Sequence, residues 1–164
     1  MKNALLLFTL FSFFACTPTE KGNEVFLFNN LSFNLAEGEK QADLNPTITD
    51  SYLFYFQNTD FQVPLFKSIK HEDYSIYLGT PYNTSIKRLL HLQLNGQSAD
   101  LLEEQSDTLS YFYKQHRIDG AFVSEYSEEF DGNLIYFLAK TESKIISDSL
   151  FSKNVISTRF NQGK

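Results

Sequence analysis

Three histidines, two adjacent glutamate pairs and a single cysteine are the side chains of this 164-residue chain with the most chemistry to offer. His71, Glu72 and Asp73 stand in a row and could present an imidazole and two carboxylates to a metal ion. A zinc-binding helix needs a second histidine four residues on, and Ser75 occupies that place. The triplet therefore reads as a solvated turn ahead of a strand. His91, between Leu90 and Leu92, reads as a boundary residue of an amphipathic helix rather than a base. Glu103-Glu104 and Glu128-Glu129 could be drawn as the acid and base of glycoside hydrolysis, but adjacent carboxylates on short polar stretches belong to solvated faces. Tyr74, Tyr77 and Tyr82 are the candidates for stacking on a glycan or other small ligand, in a chain without Trp. There is no Gly-x-Ser-x-Gly elbow, phosphate-binding loop, Gly-x-Gly-x-x-Gly turn or cysteine pair for zinc. No cofactor, metal or enzymatic activity is implied, and a hydrolase using His71 or His116 is the least favoured alternative.

The cysteine has a different setting. Lys2 supplies a positive charge, residues 4–14 form an apolar run of eleven, Ala15 is small, and Cys16 follows. That order belongs to an export signal, and the run is too short to cross a bilayer, which takes about 20 apolar residues. A lone cysteine in an exported chain has no disulfide partner. Phe13-Phe14-Ala15-Cys16 resembles the lipobox closing bacterial lipoprotein signal peptides, matching at Ala15 and Cys16 and departing at Phe14, where a small residue is usual. The resemblance implies cleavage before Cys16 and acylation of its thiol and amine. With Thr17 following rather than an aspartate, it also implies delivery to the outer membrane, on either face. One acyl chain binds a membrane marginally, and three make a stable anchor. Removing residues 1–15 takes away Lys2 and no acid, moving the formal net charge from −6 to −7. This balance argues against nucleic acid as a partner and leaves the acyl chains as the membrane contact.

The elements that must position these residues can be read along the chain. Residues 16–24 are a polar tether with Pro18 and Gly22, and residues 25–164 are expected to form one domain. Val25-Phe26-Leu27-Phe28 and Leu31-Ser32-Phe33-Asn34-Leu35 flank the turn pair Asn29-Asn30 and predict two short strands or one bent one. Residues 36–50 lack a period and predict a surface loop, and strands are expected near 52–56 and 74–78. Residues 61–70 are ambiguous, because Pro64 confines any strand there to an edge. Ile86, Leu89, Leu90 and Leu94 follow helical spacing, so a helix is expected over 84–94, with a further helical turn or two over 99–105. Strands return in a meander over 108–141. A helix over 149–160, capped by Ser147-Asp148-Ser149, closes the chain. The fold class is α+β, an antiparallel sheet packed against two or more helices.

This order of elements resembles the PsbP-like fold, in which a short N-terminal hairpin, a sheet meander and two helices form a layered sandwich. Leu31 to Leu35 near the start and the Leu150 to Phe160 segment at the end carry the resemblance. The Pro and Trp that often follow the family's first strand are replaced by Ala36-Glu37-Gly38. The family has no uniform enzymatic activity, so the resemblance speaks to fold.

Asp119-Gly120 and Asp131-Gly132 suit two-residue hairpin turns in which both residues take positive φ. Such turns set Ile118 opposite Ala121 and Phe130 opposite Asn133. They align Tyr113, Tyr126 and Phe137 across three strands on one face, with Lys114 opposite Glu125 on the other, beside His116. Phe112, Leu134, Tyr136 and Leu138 then fall on the charged face. Either a further layer covers them, or they form an exposed patch and a partner surface. The function expected is that of a lipid-anchored accessory or protein-binding domain of the cell envelope, with a small-ligand or glycan-binding lipoprotein as the alternative.

Overall fold

The computed structural model describes residues 23–28, 30–42, 67–81, 85–87, 99–107 and 109–163. Cys16 and its signal, the strand expected at 52–56, Tyr82, His91 and most of the helix expected at 84–94 lie outside the described residues.

Strands β1 (Glu24–Phe28) and β2 (Leu31–Asn34) form the predicted N-terminal hairpin. Strand β10 (Phe160–Gln162) returns from the chain's other end to pair with β2, completing a three-stranded sheet in the order β1-β2-β10. The larger sheet has seven strands. These are β3 (Lys40–Ala42), β4 (Lys67–Lys70), β5 (Tyr74–Gly79), β6 (Ala99–Asp107), β7 (Tyr111–Ile118), β8 (Ala121–Phe130) and β9 (Asn133–Thr141). Their order is β3-β4-β5-β9-β8-β7-β6, every pair antiparallel. Two short helices, α1 (Lys144–Leu150) and α2 (Lys153–Thr158), separate β9 from β10. The architecture is thus richer in β-structure than an even α+β mixture.

Both Asp-Gly turns take the conformation their chemistry predicts. Asp119 and Gly120 have φ of 49° and 84°, and Asp131 and Gly132 have φ of 49° and 76°, the mirror-image turn that matches strand twist. The register follows. Ile118 pairs with Ala121, Phe130 with Asn133, Tyr113 with Tyr126, Tyr126 with Phe137 and Lys114 with Glu125. Tyr113, Tyr126 and Phe137 are fully buried, in one cluster with Val25, Leu31 and Phe33 of the small sheet and Phe151 and Ile156 of the helical segment. Phe137 lies 5.9 Å from Phe33 and 6.2 Å from Phe151, centroid to centroid. Burying an aromatic of this size contributes roughly 1.5–3 kcal/mol.

The opposite face is dry too, and this corrects the partner-surface expectation. Phe112, Tyr136 and Leu138 are at most 1% exposed, and Ile118 and Val123 beside them are fully buried. Only Leu134, at the start of β9, is partly exposed. Apolar side chains on both parities of a strand need a cover on each side, and here both faces are covered.

Three local expectations also change. The single helix at 149–160 is two helices, because the N-cap is Ser143, whose Oγ accepts the Ile146 N–H at 3.3 Å, and the chain breaks at Phe151 and Ser152 before α2. Its last residue, Phe160, already belongs to β10. The helical turns expected at 99–105 are strand β6, and the loop at 36–50 contains β3. The ambiguous segment before Lys70 ends in β4.

Candidate functional site

The register gathers the polar side chains into separate groups. On the second face of the large sheet, Lys114 and His116 of β7, Glu125 of β8 and Tyr136 of β9 come together. Glu125 is the hub. Its Oε2 lies 2.8 Å from His116 Nε2, and its Oε1 accepts the Tyr136 hydroxyl. All four residues are buried. A carboxylate so placed is tolerated only when paired and hydrogen-bonded, and here both oxygens are engaged. His116 does point away from the aromatic core, as the register predicts. It enters a second interior, however, and is held by Glu125.

A second group ties the ends of the domain together. Glu39 Oε1 accepts the Tyr74 hydroxyl at 2.9 Å, while Oε2 accepts the Ala36 N–H at 2.8 Å and the Arg159 guanidinium. Arg159 Nε and Nη2 also donate to the Asn34 carbonyl at 3.0 and 2.8 Å, and the guanidinium lies 4.2 Å over the Phe33 ring. Burial, then the hydrogen bond to Glu39, pushes the Tyr74 phenol well above its ordinary pKa. Neither Glu39 nor Arg159 stands out in the sequence, since no local pattern links residues 120 positions apart.

A third group lines a cleft of about 460 Å³ between the β4–β5 turn and the end of β9, formed by His71, Asp73, Ser75, Lys140, Glu142 and Ser143 among others. The donor atoms of His71, Glu72 and Asp73 lie within 4.8 Å of one another. His71 Nδ1 already accepts the Asp73 N–H at 3.2 Å, and the ring stacks on Tyr74 at 4.3 Å. Glu72 and Asp73 are exposed, so the triplet has the character of a turn.

The remaining candidates disperse. Glu103 and Glu104 sit on opposite faces of β6, facing Gln115 and Lys114, and cannot share a substrate. Glu128 accepts the Tyr126 hydroxyl, which together with burial raises that phenol's pKa, while Glu129 lies on the other face and is exposed. Tyr74 and Tyr77 are buried, and the Tyr77 hydroxyl accepts from Lys70 Nζ at 3.1 Å. Both are therefore unavailable to stack on a glycan.

No protein-family model matches the sequence, and no curated protein does. Among solved structures, the chain is similar to cyanobacterial PsbP (CyanoP) from Synechocystis sp. PCC 6803, with a TM-score of 0.50 and 12% identity, covering 82% of this chain and 87% of that one. The fold is PsbP-like. The hairpin, the antiparallel meander and the C-terminal helical segment are the parts expected of that fold, and at this identity the likeness concerns architecture alone. The PsbP-like sandwich explains why charged groups lie on both faces of the sheet yet inside the domain. Over the central strands β7, β8 and β9 each face is an interior surface, and ionisable residues caught there must find partners.

Proposed function

We infer that the chain is a lipid-anchored accessory protein of the cell envelope, which works by holding a protein partner. The observation that carries this reading is how the reactive side chains are used. His116, Glu125 and Tyr136 are engaged with one another inside the domain, as are Glu39, Tyr74 and Arg159. The cleft lined by His71, Asp73, Ser75 and Ser143 holds a base and two hydroxyls, but Ser75 Oγ accepts from Lys70 Nζ, Ser143 Oγ accepts the Ile146 N–H and His71 Nδ1 accepts the Asp73 N–H, which weighs against the hydrolase reading. Burial of Tyr74 and Tyr77 weighs against glycan stacking. The anchor rests on the sequence alone, in Ala15 and Cys16 at the end of the apolar run. Among the described residues no helix is long and apolar enough to cross a membrane.

Mass spectrometry of the mature N-terminus is expected to find acyl chains on Cys16, and Cys16→Ala should leave the chain unlipidated. Affinity capture from detergent-solubilised envelope should retain a stoichiometric protein partner. An unmodified N-terminus beginning elsewhere would refute the anchor, and capture of nothing but the chain itself would refute the accessory role.

A further inference from the structure

Strand β6 ends the large sheet, paired with β7 on one side only among the described strands. All nine of its residues are exposed, so neither face of the strand is covered. Nine residues of strand run for about 30 Å. In an antiparallel ladder alternate residues direct their N–H and C=O groups to either side, so about half of the β6 backbone groups point outward. The other edge, β3, is three residues long and carries Lys40. Folded proteins guard edges by shortness, charged side chains, proline or a bulge. β6 is long and has neither lysine nor proline; its guards are carboxylates and a register shift between Leu101 and Glu103, which turn away like-charged strands but not a basic one.

The charge on β6 selects what can pair with it. Asp100, Glu103, Glu104 and Asp107 put four carboxylates in nine residues, with no Lys or Arg among them. Asp100 faces Arg117 and Glu104 faces Lys114 across the ladder, whereas Glu103 faces Gln115 and Asp107 faces Tyr111. Glu103 and Asp107 share one face of the strand, four residues apart, and the exposed Leu101 and Leu102 adjoin them. A second copy is a poor occupant. Symmetric antiparallel pairing of β6 about its centre would set Glu103 against Glu103 and bring eight carboxylates together, and like charges directly opposite destabilise a strand pair.

We propose that β6 is the docking edge for an extended segment of a protein partner bearing Lys or Arg at two positions four residues apart, which adds to the sheet as an eighth strand. The backbone supplies affinity, as in other cases of strand addition. Glu103 and Asp107 supply selectivity. The proposal rests on the accessory reading above and names the surface and the chemistry of the partner.

The test uses the full mature chain and a synthetic nine-residue peptide of alternating threonine and valine, with lysines at positions two and six. Fluorescence anisotropy should show salt-sensitive binding, weakened at least about tenfold by Glu103→Lys with Asp107→Lys and less by Glu103→Gln with Asp107→Asn. Hydrogen exchange should slow within Ala99–Asp107 when the peptide binds. Unchanged melting temperatures of the variants establish that they fold. Absence of binding, binding indifferent to charge reversal, or protection elsewhere in the chain would overturn the proposal. So would concentration-dependent dimerisation through β6. Envelope capture separates the two readings. If the charge-reversed chain retains the partner as well as the unmodified one does, the edge is wrong and the accessory role stands. An empty capture beside specific peptide binding rejects the role and keeps the edge.

Discussion

Glu125 holds a histidine on one oxygen and a tyrosine on the other, in a part of the sheet that is buried from solvent over nearly all of its surface. Removing the Glu125 carboxylate takes the acceptor from His116 Nε2 and from the Tyr136 hydroxyl inside the domain, so Glu125→Ala is expected to cost about 3–5 kcal/mol. Glu125→Gln keeps a carbonyl oxygen for the Tyr136 hydroxyl and should lose roughly half as much. Urea unfolding of the two variants checks both values, and near-neutral results would mean that the group is not buried in solution. The membership of this group was legible in the sequence, since the Asp-Gly turns alone set His116, Glu125 and Tyr136 on one face. Its burial was not. Side-chain parity tells which face a residue occupies, and says nothing of whether a second layer lies over that face. The same gap left Phe112, Tyr136 and Leu138 open between a covering layer and a partner surface. Glu39 and Arg159 were not legible at any stage, because their ion pair is made by the fold and not by spacing.

At the level of elements, local chemistry succeeded where a backbone requirement was specific and failed where propensity stood alone. The hairpins were read correctly because few residue pairs accept positive φ twice in succession. Ala99, Leu101, Leu102, Glu103, Glu104 and Gln105 include good helix formers, yet β7 offers a ladder interrupted only between Leu101 and Glu103, and the segment becomes a strand. Ser147, Asp148 and Ser149 look like a cap, but Ser147 is buried in the middle of α1, with its Oγ 2.8 Å from Gln115 Nε2. The turn glycines give a graded prediction. At Gly120 and Gly132 an added Cβ would meet nothing within 4 Å, so Gly120→Ala and Gly132→Ala should each cost only the left-handed backbone penalty of about 1–2 kcal/mol. At Gly38, with φ of 81°, the Cβ would lie 2.9 Å from His71 Nε2 and 3.0 Å from Cδ2. Gly38→Ala should therefore cost measurably more than either hairpin variant, because the His71 ring must leave its stack on Tyr74. Equal thermal shifts for all three would show that the His71 contact contributes nothing.

For the molecule as a whole, the central strands β5, β7, β8 and β9 of the seven-stranded sheet bury side chains on both faces, and tyrosines from three of them lie within it. Tyr74, Tyr113 and Tyr126 all have phenols whose pKa rises on folding. Burial is the leading cause in each case, followed by a hydrogen bond to Glu39 for Tyr74 and to Glu128 for Tyr126. Tyr113 is pushed up to about 12 by burial and by the nearby carboxylates of Glu103 and Asp148, against a hydrogen bond with Ser124 that acts the other way. A group whose pKa is higher in the folded chain favours folding fully while it stays protonated in both states, below its unfolded value of 10.0. Above that pH the unfolded chain ionises first, and the contribution falls by about 1.4 kcal/mol per pH unit for each group until the folded pKa is reached. Three such groups acting together make alkaline unfolding steep, at up to about 4 kcal/mol per unit once well above pH 10. Stability measured by urea unfolding should therefore stay level with respect to these groups up to about pH 9 and then drop; of the tyrosinate absorbance of the nine tyrosines, the share that Tyr113→Phe removes should appear together with loss of the sheet. Tyr113→Phe removes one of the three and should lower the slope by roughly a third. If the share of the absorbance that Tyr113→Phe removes is already present at pH 10 in a chain that remains folded, the Tyr113 ring is wet and the core described for the first face of the sheet is not closed.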